Sequence, residues 1–84
     1  MNVHAHKLGM GPRLVEQPDG SYAIEVPERY LFGELVQMRP EELRELEMAA
    51  IAKGAPGIWW FPDTERVRKL LGVTEETPVM KRGS

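Results

Sequence analysis

Arg13-Leu14-Val15-Glu16-Gln17, then Pro18-Asp19-Gly20, then Ser21-Tyr22-Ala23-Ile24-Glu25-Val26, is the stretch on which the fold turns. Proline at the first turn position presets φ, and glycine accepts the positive φ that follows, so a β-hairpin with a three-residue loop is expected. In the second run Tyr22, Ile24 and Val26 alternate with Ser21, Ala23 and Glu25, and side chains two apart share a face of a strand. One face of the hairpin is therefore built to be buried.

The elements after the hairpin read as short helices. Pro27 closes the second strand and suits a first helical position. Over 28–38, Leu31, Phe32, Leu35, Val36 and Met38 fall on about half of a helical circumference. Gly33 costs that helix roughly 1 kcal/mol relative to alanine, and Pro40 stops it. A second helix is expected over 40–53. Pro40 opens it, Glu41 and Glu42 lie at the positive end of its dipole, Leu43, Leu46 and Ala50 form one face, and Gly54 closes it. A third is expected over 64–71, with Asp63 as N-cap, Val67, Leu70 and Leu71 as its apolar stripe, and Gly72 as a Schellman stop. The expectation is a small α+β domain: an N-terminal hairpin, two to three short helices, and a short aromatic strand or loop between the last two. Residues 1–12 read as an arm, 13–73 as the domain and 74–84 as a tail broken by Pro78. The expected core is Tyr22, Ile24, Leu31, Leu35, Leu43, Leu46, Val67 and Leu70.

Size and charge limit what such a domain does. With 84 residues the chain buries only about 60% of its unfolded surface, so its core is thin. It has no cysteine, which removes disulfides, thiolate metal sites and thiol nucleophiles. That absence, with no apolar leader-like stretch and no apolar run near the roughly 20 residues of a membrane span, points to a cytoplasmic protein. The net charge is −2, from 13 acids and 11 bases, against a general polyanion binder. Residues 13–53 carry a net −4 and residues 64–84 a net +2.

Few residues group into a recognisable chemistry. His4 and His6 would share a face of an extended arm, but two ligands do not make a metal site and only carboxylates could complete it. Neither a Ser-His-acid set nor a phosphate-binding glycine loop is present. No catalytic, cofactor or metal residue is therefore assigned, and an enzyme is not expected. Val67-Arg68-Lys69-Leu70-Leu71-Gly72-Val73-Thr74 resembles the first helix and turn of a helix-turn-helix. Thr74 would cap the recognition helix, and Arg66, Arg68, Lys69, Lys81 and Arg82 would face phosphates. Pro78 departs from that pattern, falling in the first turn of the helix that should follow.

The most unusual feature is Ile58-Trp59-Trp60-Phe61, three of the chain's six aromatic residues in a row between Pro56 and Pro62. In an extended strand Trp59 and Phe61 point one way, Ile58 and Trp60 the other. A thin core covers one side of such a strand. The other must be covered by the arm, a partner or a second copy, unless the strand is enclosed within the fold. Which tryptophan faces outward is not fixed by the sequence. Trp59, Trp60 and Phe61 are thus the partner-binding candidates. The leading expectation is a small, self-associating interaction or regulatory module. A DNA-binding regulator using 64–82 is the second, and an accessory subunit of an enzyme complex the third.

Overall fold

The computed structural model describes residues 11–34, 38–54 and 57–81. The hairpin forms as expected, from β1 (Arg13–Glu16) and β2 (Tyr22–Pro27), with Leu14 opposite Ile24 and Glu16 opposite Tyr22. Gly20 takes φ +89°, and its N–H donates to the carbonyl of Gln17 (2.9 Å). Asp19 accepts from both the backbone N–H and the hydroxyl of Ser21 (2.9 and 2.6 Å). Those bonds, the hydroxyl's first, hold the Asp19 carboxyl below its ordinary value.

Three further strands complete a five-stranded sheet in the order β3-β4-β2-β1-β5. β4 (Ile58–Pro62) pairs antiparallel with β2, and β3 (Ala52–Gly54) lies antiparallel outside β4. β5 (Val79–Met80) lies parallel to β1 at the opposite edge. Two α-helices, α1 (Pro40–Ala49) and α2 (Glu65–Leu71), supply Leu46, Val67, Leu70 and Leu71 to one cluster with Leu14, Ile24, Val26, Trp59 and Phe61. The fold is α+β, with both helices contributing their buried side chains to one face of the sheet.

Between Pro27 and α1 the expected helix is realised as a π-helical turn over Tyr30–Glu34, which seats Tyr30 and Leu31 in the core. Gly33 lies within it, where helix propensity is weakest. Leu35 and Val36 fall outside the described residues.

Four boundaries differ from expectation. The helix expected over 40–53 ends at Ala49, and 52–54 is strand. The residues have good helix propensity, but β4 presents a free backbone edge. The Ile51 N–H donates to the carbonyl of Trp60 (2.7 Å), and Ala52 then pairs with Trp60. Sheet pairing overrides propensity there. The N-cap of α2 is Thr64, whose hydroxyl accepts from the Val67 N–H (3.2 Å), while Asp63 is turned to Arg68. The segment 74–81, expected to trail as a tail, is tied into the domain. Thr77 is buried, its hydroxyl accepts from the Thr74 N–H (2.9 Å), and the Leu14 N–H donates to the carbonyl of Pro78 (2.9 Å). Pro78 lies between the Thr74–Thr77 turn and β5, and its carbonyl makes the bond to Leu14 that leads into the β1–β5 pairing. At the other end Pro12, placed in the arm by its sequence, is fully buried.

The Schellman stop of α2 forms as expected. Gly72 has φ +75°, its N–H donates to Lys69, and the Val73 N–H donates to Arg68 (2.9 Å).

Candidate functional site: the outer face of the sheet

β4 divides its aromatic residues between the two faces of the sheet, because successive strand side chains alternate. Trp59 (3% exposed) and Phe61 (fully buried) point to the helices, with ring centroids 6.2 Å apart and planes 14° from parallel. The Trp59 indole N–H donates to the Glu28 carboxylate (3.2 Å), which satisfies its polar atom at the edge of the core. Of the three partner-binding candidates, these two are core residues. Trp60 and Ile58 lie on the opposite face and are half-buried.

The register of the strands sets Trp60's neighbours. One cross-strand row of the outer face runs Ala52, Trp60, Glu25, Arg13. The Arg13 guanidinium is ion-paired with Glu25. A second row runs Pro62, Ala23, Val15, Met80. Ile58 and Pro27 stand side by side beyond Trp60. Met80 is 48% exposed. At the β3 side, Met48 and Ile51 are the most exposed large apolar residues described. The face is therefore a band of apolar side chains with one ion pair set into it. No described helix is seated on it. Sequence reasoning found Trp60 by its place in the run but missed Arg13, Val15 and Met80, since they join the site only through strand pairing.

The basic residues expected to face DNA are arranged otherwise. Arg66 donates from Nε and Nη2 to the two carboxylate oxygens of Glu45 (2.8 and 2.9 Å), linking α2 to α1. The guanidinium's hydrogen bonds hold the Glu45 carboxyl below its ordinary value, and Glu45 raises that of Arg66. Arg68 is held in the same bidentate way by Asp63, with Nη2 to Oδ2 at 3.0 Å, which raises its pKa. Lys69 and Lys81 are exposed, and Arg82 lies outside the described residues. The expected recognition helix is absent from 74–81, where a Thr74–Thr77 turn leads into β5. The resemblance to a helix-turn-helix ends at the turn, because Pro78 and the pairing with β1 draw the chain into the sheet.

Among the described residues no three His, Asp or Glu side chains lie close enough to hold a metal ion, and His4 and His6 are outside them. Nor is any described helix long and apolar enough to cross a membrane. Comparison of the chain with protein-family models, with curated proteins and with solved structures finds no match.

Proposed function

We propose that this protein is a small non-enzymatic interaction module which docks a protein partner, its own second copy included, through the outer face of its sheet. The observation that carries this is the position of Trp60. It stands on the face opposite both helices, between Ile58 and Pro62, with Val15 and Met80 across the sheet. A tryptophan on an apolar strand face, with an arginine two strands away in the same cross-strand row, has the composition of an interface anchor. The paired guanidinium groups of Arg66 and Arg68 do not favour phosphate binding, since each already spends its charge on a carboxylate.

The test compares immobilised wild type with Trp60→Ala in capture from native cell extract, read by mass spectrometry. Trp60→Ala is expected to retain the wild-type fold by circular dichroism and to lose the proteins, or the second copy, that wild type retains. Equal capture by both would sink the proposal. An enzyme among the captured proteins would mark the module as an accessory subunit. Duplex DNA measured by fluorescence anisotropy at low salt is expected to show no binding at micromolar protein.

A further inference from the structure

Trp59 and Trp60 carry the same side chain, yet one is enclosed and the other stands on the outer face. Sliding β4 by one residue along β2 would exchange them, because a one-residue slip moves every side chain of a strand to the other face. Ile24 would then stand opposite Trp60 and Val26 opposite Ile58, in place of Phe61 and Trp59. The core would hold Ile58 and Trp60 instead of Trp59 and Phe61: one tryptophan for another, and isoleucine for phenylalanine. Such side chains gain similar free energy on burial, so burial alone separates the two registers poorly.

Polar contacts separate them well. The last rung between β2 and β4 is Pro27 opposite Ile58, and Glu28 continues it by donating its N–H to the carbonyl of Gly57 (2.7 Å). The Glu28 carboxylate accepts from the Trp59 indole N–H (3.2 Å). In the slipped register Gly57 would stand opposite Pro27, which has no N–H. Ile58 would fill the place of Trp59, with nothing to donate. Both bonds of Glu28 therefore belong to one register. Glu28 itself is exposed, so it contributes these bonds and little burial. Resting on the interaction-module reading, we infer that Glu28 is a positioning residue which sets the register of β4 and so decides which of two adjacent tryptophans is offered to a partner. In the slipped register Trp59 and Phe61 would occupy the outer face, opposite Glu25 and Ala23, a different surface from that of Ile58 and Trp60.

The indole N–H resonances of the whole chain, read by heteronuclear NMR, report the register, since each tryptophan gives one signal per environment. Wild type is expected to show one signal for each of its two tryptophans, assigned with Trp59→Phe and Trp60→Phe. The Trp59 N–H is expected to exchange with solvent more slowly than that of Trp60. Glu28→Leu removes the acceptor. It is expected to add a second pair of signals, with about a tenth or more of the intensity, because losing a hydrogen bond to a charged group shifts such an equilibrium roughly ten-fold or more. Glu28→Gln keeps an amide oxygen at the indole and is expected to retain a single pair. A residue that only stabilised the fold would lower the melting temperature of Glu28→Leu without adding signals. A single pair in folded Glu28→Leu, with Trp59 as protected as in wild type, therefore overturns the inference. Glu28→Ala takes the place of Glu28→Leu if the latter does not fold. Equal capture of partners by wild type and Trp60→Ala would instead sink the docking role of the face and leave the NMR result unchanged.

Discussion

The two faces of β4 meet different demands with nearly the same chemistry. On the inner face Trp59 and Phe61 are enclosed by Ile24, Val26 and the stripes of α1 and α2, and the one polar atom of Trp59 has Glu28 as its partner. On the outer face the described residues paired with Trp60 and Ile58 are strand residues, and no described helix adds core side chains above them. The inner pair is fixed by packing, whereas the outer residue keeps part of its surface open. Adjacent aromatic residues in a strand can thus differ wholly in what they contribute, since one residue of register moves a side chain from core to surface.

Substitutions on each face sharpen or break that contrast. Phe61→Ala opens a cavity in the fully buried cluster and is expected to cost about 3–5 kcal/mol in chemical denaturation, much of the stability of a domain this size. Trp60→Ala, one residue away on the same strand, is expected to cost far less. If the two were equal, the outer face would be core as well and the contrast would be lost. Next in size is Gly72→Ala. The φ of +75° is strained for a residue with a Cβ, and the loss is expected to be about 1 kcal/mol by the same measurement. No change there would mean that the end of α2 does not depend on the left-handed cap.

The smallest effect concerns the tie between the helices over the inner face. The Arg66 hydrogen bonds lower the Glu45 carboxyl pKa in the folded chain, so this pair contributes stability above the ordinary carboxylate range and loses it as pH falls through the folded value. Both groups are exposed, which makes the effect small. Wild type and Glu45→Gln are expected to show slightly different melting temperatures at pH 7 that converge as the pH drops below the carboxylate range. A difference that persists in acid would assign the effect to packing instead.

Much of the inner layer was legible in the residues. The Pro18-Asp19-Gly20 turn, the alternation of Ile24 and Val26, the stripe of α2 and the stop at Gly72 are local signals, each specified by neighbours within a few positions. Leu46, Val67 and Leu70 were readable as core by helical spacing. Tyr22 and Leu43 were expected there too but are only partly buried. Trp59 and Phe61 are partner-binding candidates by sequence and core residues in the fold, because periodicity shows that two residues share a face and not which face is covered.

By itself, then, the sequence determined the hairpin, the helical stripes, the α+β class and the division of the aromatic run into Trp59 with Phe61 against Trp60. These depend on backbone dihedrals and on the two- and 3.6-residue periods, which act over a few residues. Only the tertiary structure decided that Trp60 is the outer tryptophan, that α1 yields 52–54 to the sheet, that 79–80 forms its far edge, and that Arg13 and Glu25 line up with Trp60. Each of these rests on hydrogen bonds or register between segments distant along the chain. A backbone edge left open by β4 or β1 is satisfied by whichever segment can reach it, and that is settled only when the sheet is assembled.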